Sequence, residues 1–269
     1  MGYSMIHVSE LNIFPVKSFQ GMSVQSCFVD DFGPQWDRRL MLINESGRFV
    51  TQRQLPLMSQ MSASITGQVL TLTSPSSTFS LDLPSLELLD KSITVQVWND
   101  SVHALLLTNE VNQWLSNELK TNIRLCYISS NTVRQVDLDY AKLGDKTGFS
   151  DGFPFLIMSQ ASLGFLSQQV GFELSSQRFR PNIVVSGCDA FEEDTWKSII
   201  INGISFDIVK PCSRCVIPTI DPKTSIKQPE VMQVLLKHRK KDKAVYAGQN
   251  MIHRGQGQIS VGDLVNVVN

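Results

Sequence analysis

Period-two alternation dominates the first hundred residues. Ile6 and Val8 alternate with polar neighbours, and Leu11 and Ile13 continue the pattern after a shift of parity. Leu40-Met-Leu-Ile43 and Phe49-Val-Thr51 flank Asn44-Glu-Ser-Gly47, and Val69-Leu-Thr-Leu72 and Phe79-Ser-Leu-Asp-Leu83 flank Ser74-Pro-Ser-Ser77. Each set reads as a hairpin. Ile93-Thr-Val-Gln-Val-Trp98 alternates throughout and is expected to be half buried. Around Val111, Trp114, Leu115 and Leu119 the period becomes helical.

Beyond about Arg124 the pattern restarts. Phe153-Pro-Phe-Leu-Ile-Met158 is an apolar run ending at Ser159, a good N-cap for a helix carrying Leu163, Leu166 and Val170. Ile183-Val-Val185, Ile199-Ile-Ile201 and Ile204-Ser-Phe-Asp-Ile208 read as strands, with Asn202-Gly203 as the strongest hairpin signal in the chain. A helix opening near Pro229 runs through Val231, Val234 and Leu235 into Lys237-His-Arg-Lys-Lys241, which reads as a solvated helix end. The last residues, 258–268, read as strand, turn, strand. Short strands at close intervals with few helices predict an α+β, β-barrel-dominated fold. It comprises two closely packed β-rich portions, residues 1–122 and 123–269, with a few peripheral helices.

Charge narrows the function. Lys plus Arg is 24 against 25 Asp plus Glu, a net charge of −1. That balance argues against a general nucleic-acid binder, which needs a basic face. No apolar run approaches the roughly 18–20 residues that span a bilayer. The start, Met1-Gly-Tyr-Ser-Met-Ile6, lacks a signal peptide's basic and apolar regions and departs from a myristoylation signal at Ile6. A cytoplasmic protein that does not engage membranes is expected. The odd number of cysteines, five, fits that compartment; Cys27, Cys126 and Cys188 sit among apolar neighbours as small hydrophobes.

Cys212 and Cys215 lie together in Lys210-Pro-Cys-Ser-Arg-Cys215-Val-Ile-Pro-Thr-Ile-Asp-Pro222. A structural zinc site would need a second ligand pair, and none stands at suitable spacing. A redox dithiol usually opens a helix, whereas the residues after Cys215 read as extended. The remaining uses are an inert buried pair, or one thiolate on a transition metal carried by an organic cofactor, favoured by Arg214 beside Cys215. Gln177-Arg-Phe-Arg-Pro-Asn182 offers two arginines and an amide suited to an anion such as phosphate. Phe14-Pro-Val-Lys-Ser18 adds a cation and a hydroxyl at a strand end, and Asp37-Arg-Arg39 repeats the cationic theme.

These segments, with Trp36-Asp-Arg38, Thr51-Gln-Arg-Gln54, Ser150-Asp151, Leu156-Ile-Met-Ser159, Phe179-Arg-Pro-Asn-Ile-Val-Val-Ser-Gly187, Ile220-Asp-Pro222 and Val261-Gly-Asp263, occur in one order along almost the whole chain. In that order the chain resembles the MOSC-domain family of molybdenum-cofactor proteins. It resembles in particular the branch in which a MOSC N-terminal β-barrel precedes that domain, as in amidoxime-reducing enzymes. The resemblance implies a molybdenum cofactor (molybdopterin), with Cys215 as the catalytic ligand on the metal. It implies cofactor-binding roles for Lys17, Ser18, Arg38, Ser159, Arg180, Asn182, Ser213 and Arg214. It further implies two-electron reduction of a small N-hydroxylated substrate, N–OH to N–H, in a cleft between the two portions. Where mitochondrial relatives place an aromatic residue after a Gly-Gln pair, this chain has Asn250. No four-cysteine iron–sulfur pattern and no nucleotide-binding GxGxxG loop occur, so electrons are expected from a separate ferredoxin-like protein or flavoprotein. The alternatives from other classes are a cofactor or sulfur carrier with a persulfide on Cys215, and a non-catalytic interaction domain.

Overall fold

The parity shift after Val8 is a β-bulge. In the computed structural model, which describes residues 5–268, His7–Ile13 pairs antiparallel with Ile183–Ser186, and the register slips between Val8 and Glu10. The extra residue turns Val8, Leu11 and Ile13 towards one core, although strict alternation would put Val8 and Leu11 on opposite faces. The expectations placed on Met1 to Ser4 lie outside the described residues.

The largest sheet runs, in spatial order, Val265–Val268, Ser198–Ile201, Ile204–Ser213, Ala244–His253, Phe155–Ser159, Ile183–Ser186, His7–Ile13 and Met22–Val24. A second runs Leu40–Ile43, Arg124–Tyr127, Asp100–Leu106 and Ser92–Val97; Ser62–Thr66, Val69–Thr73 and Thr78–Asp82 form a third, and Gly257–Ser260, Ser26–Asp30 and Gly33–Pro34 a fourth. The helices are α1 (Leu83–Leu86), α2 (Asn109–Leu119), α3 (Gln160–Val170) and α4 (Glu230–His238). This is the strand-rich α+β class that the patterning predicts. Among the described residues no helix is long and apolar enough to cross a membrane.

Strands cross between the two halves of the chain. His7–Ile13 and Met22–Val24 extend a sheet whose other strands come from the second half, and Ser26–Asp30 pairs with Gly257–Ser260. Arg124–Tyr127 pairs with Leu40–Ile43 and Asp100–Leu106 of the first half. The halves are thereby tied by backbone hydrogen bonds as well as by packing.

The strands Leu40–Ile43 and Phe155–Ser159 are buried along their whole length, and each separates two cores. Leu40 and Leu42 face a cluster with Leu70, Leu115 and Leu125, while Met41 and Ile43 face Val95, Val97 and Phe149. Phe155 and Ile157 face Val8 and Phe206, while Met158 faces Leu163, Leu166 and Leu235 of α3 and α4. Continuous apolar runs are what a strand covered on both faces requires. Ser159 caps α3, its hydroxyl accepting from the Ser162 N–H at 3.0 Å. The strands flanking this helix, Phe155–Ser159 and Ile183–Ser186, lie parallel, as a helical crossover demands. Asn202 and Gly203 both adopt positive φ (45° and 78°) in the hairpin they form, as a two-residue turn of this kind requires.

Two expectations change. Phe49-Val-Thr51 contributes one bridge, Phe49 to Ile43, rather than a strand. The basic run does not end as helix: α4 stops at His238, and Lys240–Lys241 turns back to pair with Ala244 and Val245. Cross-strand pairing outweighs local helix propensity there.

Candidate functional site

Loops at the ends of the large-sheet strands, joined by segments of the first half, line one cleft. It collects Lys17, Ser18, Arg38, Arg180, Asn182 and Arg214. It opens into a recess of about 380 Å³ reaching Ser213 and Cys215. Residues more than 160 positions apart in sequence meet here: Arg180 donates to the Phe19 carbonyl.

Phe14 is the platform of the cationic wall. Its ring is fully buried, with the Arg38 guanidinium 4.4 Å and the Arg180 guanidinium 4.2 Å from its centroid. Stacking of this kind fixes a guanidinium while leaving its edge free to donate. Asp37 is the hub behind that platform. One carboxylate oxygen accepts from the Phe14 N–H (2.8 Å) and from Asn182 Nδ2 (3.0 Å), and the other accepts from Arg38 Nη1 (2.6 Å). Burial raises the Asp37 pKa, against the pull of Arg38. Asn182 also accepts from Arg38 and from the Leu156 N–H and donates to the Asn12 carbonyl. Its amide is fully engaged, so Asn182 orients the wall rather than reaching outward.

Backbone strain concentrates at the same place. Ser18, Arg38 and Arg180 all have positive φ (67°, 46° and 61°), a conformation costly for residues with a Cβ. Gly148 permits the opposing loop to close in, since a Cβ there would lie 2.6 Å from the Arg38 carbonyl oxygen.

Among the described residues, two donors in this wall are buried without a hydrogen-bond partner: Arg180 Nη2 and Arg214 Nε. Buried unpaired donors are costly, and a guanidinium is suited to pairing with an anion. Burial, reinforced by the charge of Arg38, lowers the Arg180 pKa to about 9. Lys17 is lowered by burial to about 8, although Asp151 pulls the other way; its ammonium donates to the Phe149 carbonyl at 2.7 Å and to Asp151 at 2.6 Å. Asp151 itself is raised by desolvation, but Lys17, the Trp98 indole N–H at 3.2 Å and Arg53 outweigh that and hold it well below the usual carboxylate range.

The thiols are both half-buried and unpaired with each other. Arg214 Nη1 lies 3.0 Å from the sulfur of Cys212, and its Nη2 donates to the Phe179 carbonyl. The arginine thus serves Cys212 rather than Cys215, because residues two apart in extended chain point to the same side. The Cys215 sulfur accepts weakly from the Ile217 N–H (3.5 Å) at the start of a short helical turn, Ile217–Thr219. The segment after Cys215 is therefore not extended: Pro218 near the start of the turn, with the Thr219 hydroxyl on the Val216 carbonyl, favours it. Register slips between Ile208 and Lys210 and between Pro211 and Ser213 re-aim the end of the strand into the cleft.

Of the anticipated site residues, Ser159 stands apart. It is fully buried, and its hydroxyl caps α3 and bonds Ser162 2.7 Å away, so it does not line the cleft. Of the two arginines near Pro181, only Arg180 faces the cleft; Arg178 clamps the Pro218 carbonyl, Asp221 and Gln228. Asn250, where an aromatic residue was the expectation from relatives, does line the cleft. Sequence reading gave no role to Phe14, Asp37, Arg53, Trp98 or Asp151. Four of these lie within motif segments that point to the region, whereas Trp98 carried no signal beyond ending an alternating strand.

Comparison with known proteins agrees with this architecture. Residues 5–122 match the MOSC N-terminal beta barrel domain and residues 144–266 the MOSC domain. The human mitochondrial amidoxime-reducing component 1 is 32% identical over 280 residues, covering 96% of this chain and 82% of that protein. Its mouse counterpart is 32% identical over 281 residues, covering 96% and 81%. The bovine mitochondrial amidoxime reducing component 2 is 31% identical over 276 residues, covering 96% and 82%. With both domains in sequence and this similarity along nearly its whole length, the chain belongs to the MOSC-domain family of the amidoxime-reducing components.

Proposed function

We propose that the chain is a molybdenum-cofactor reductase that converts N-hydroxylated compounds to their N–H forms with electrons from a separate protein. The observation that carries the reading is the pair of buried, unpartnered donors, Arg180 Nη2 and Arg214 Nε, in a cleft that also presents a half-buried thiol at Cys215. An anionic cofactor with a thiolate-seeking metal matches that donor set. The names of the relatives point to the same substrate class.

Arg180, Arg214, Lys17, Ser18 and Ser213 would hold the anionic tail, and Cys215 the metal. Arg38 and Asn182 hold Arg180 and its loop in place. When bound, the cofactor supplies two-electron redox chemistry and an acceptor for the oxygen of the N–O bond. Each turnover consumes two electrons and two protons and releases one water. Lys17, with a pKa brought to about 8, can hold or give up a proton at Nζ near neutral pH. Asp151 presents a carboxylate that stays ionised, suited to a cationic N-hydroxylated base. Trp98 and Arg53 stack 4.3 Å apart at the mouth and restrict entry from the side of the first half.

The test is molybdenum and pterin analysis of the purified protein, followed by turnover of a hydroxylamine or amidoxime with separate donors. Reduced viologen should drive turnover and NADH alone should not. Cys215→Ala should abolish turnover with the fold intact, while Cys212→Ala retains most of it. Full activity in the Cys215 variant would remove that residue from the metal, and brisk NADH-driven turnover would remove the need for a separate carrier.

A further inference from the structure

We propose that the basic segment 237–243, the last turn of α4 and the first arm of the hairpin that follows it, with Lys210 beside it, is the docking surface for an acidic one-electron carrier protein. The proposal rests on the reductase reading above and identifies where its electrons enter.

The chain as a whole is neutral, with 24 basic against 25 acidic residues. Residues 237–243 nevertheless carry Lys237, Arg239, Lys240, Lys241 and Lys243 against Asp242 alone. Lys237, Lys240, Lys241 and Lys243 are exposed, and among the described residues none of them, nor Lys210, makes an ion pair. Arg239 is different: it pairs with Asp194 and stacks 4.0 Å from the Phe191 ring, anchoring the base of the hairpin. An anchored hairpin with free lysines at its tip presents positive charge without neutralising it internally.

The surface is concave. Lys210, Pro211, Lys240, Lys241, Tyr140 and Tyr246 line a cavity of about 500 Å³. Aromatic and apolar contact within a cationic rim suits a folded protein surface better than a flat lipid face or a nucleic-acid backbone. The cavity also lies directly behind the thiol cleft. Lys240 and Lys241 pair with Val245 and Ala244, the Val245 carbonyl accepts from the Arg214 N–H at 2.9 Å, and Tyr246 pairs with Ser213. One cross-strand pairing, one hydrogen bond and one peptide link separate the Lys240 backbone from Cys215. Lys210 and Pro211 border this cavity on one side and the recess holding Cys215 on the other.

A one-electron carrier must dock twice per turnover, because N–OH to N–H with release of water takes two electrons and two protons. Fast binding and release, steered by charge and held by a small patch, suit that requirement.

The experiment titrates an acidic [2Fe–2S] ferredoxin into the molybdenum-loaded protein, by calorimetry and as donor in turnover, with reduced methyl viologen as the small donor. Lys240→Glu/Lys241→Glu, whose side chains are exposed, should keep the wild-type thermal melt. Ferredoxin affinity should fall on the order of tenfold or more, the KM for ferredoxin should rise in step, and the viologen-driven rate should stay at the wild-type value. Wild-type affinity should itself weaken as salt rises, and less so in the variant. Unchanged ferredoxin affinity in the variant, or no binding by the wild type at low salt, overturns the docking surface. So does loss of binding to anionic vesicles or duplex DNA in place of ferredoxin. Absence of viologen-driven turnover in the wild type overturns the reductase reading instead, separately from the binding result.

Discussion

Arg180 and Lys240 are cations built in opposite ways. Arg180 sits in a left-handed backbone conformation, stacked on Phe14 beside Arg38, whose own charge is tied to the buried carboxylate of Asp37. Lys240 lies on a two-residue strand, exposed and free of ion pairs among the described residues. The first arrangement carries a desolvation cost in the folded state and has a donor ready for one anion in one orientation. The second keeps its charge hydrated and acts at a distance on any acidic surface. Pre-positioned charge gives affinity that salt scarcely touches, because buried groups are poorly screened; exposed charge gives salt-sensitive association.

The comparison breaks most visibly at its support. Asp37→Ala removes the buried carboxylate that pairs with the half-buried Arg38 and holds the Phe14 N–H and Asn182, and should cost about 3–5 kcal/mol of stability, the usual result of breaking a largely buried pair. Urea unfolding measures this, and a loss under about 1 kcal/mol would show that the wall stands without its hub. Arg180→Ala should weaken cofactor binding roughly ten- to hundredfold, from about 1.5–3 kcal/mol for a charge-assisted hydrogen bond. Molybdopterin content of the purified variant reports this, and Arg180→Lys should rescue only in part because an ammonium lacks the planar fork. Unchanged cofactor content in Arg180→Ala would contradict the assigned role.

The smallest effect is a pH dependence at Lys17. Its folded pKa, about 8, lies below the ordinary value of 10.5, and burial is the main cause. Between those values the unfolded chain binds a proton that the folded chain does not, so stability should rise with pH across that window and be flat below it. Anion binding should change in the opposite direction, because the neutral amine above pH 8 no longer attracts the anion. Pyrophosphate titrations and urea midpoints across the window should show both trends more steeply in the wild type than in Lys17→Met, where Arg180, at about 9, still contributes. Identical slopes in the two proteins would place the titration elsewhere.

Much of the scaffold was legible because the signals are local. The N-cap at Ser159 and the Asn202-Gly203 turn each act within a few residues, and the parity shift near Val8 already marks the bulge. The basic run misled for the complementary reason: Lys240 and Lys241 have helical neighbours on one side, but their conformation is set by pairing with Val245 and Ala244. Within the cleft, motifs located Lys17, Arg38, Arg180, Arg214 and Cys215, yet gave no means of separating ligand from support. Asn182 and Ser159 carry the same donor types as the other candidates, and only their hydrogen-bond partners show that the Asn182 amide, though it lines the cleft, is already engaged and that Ser159 faces away from it.

Sequence alone determined the α+β class, the principal strands and helices, the family and most of the segments that line the cleft, since periodicity, caps and motif order are properties of neighbouring residues. Tertiary structure alone decided that Arg214 meets Cys212, that Arg178 turns away while Arg180 stacks on Phe14, and that two guanidinium nitrogens of the cleft, Arg180 Nη2 and Arg214 Nε, are buried without partners among the described residues. It also decided that Val245, the strand partner of Lys240, is hydrogen-bonded to the Arg214 backbone at the thiol cleft. Those facts depend on which distant segments are brought together and on which polar atoms water can still reach, and neither is encoded in any short stretch of chain.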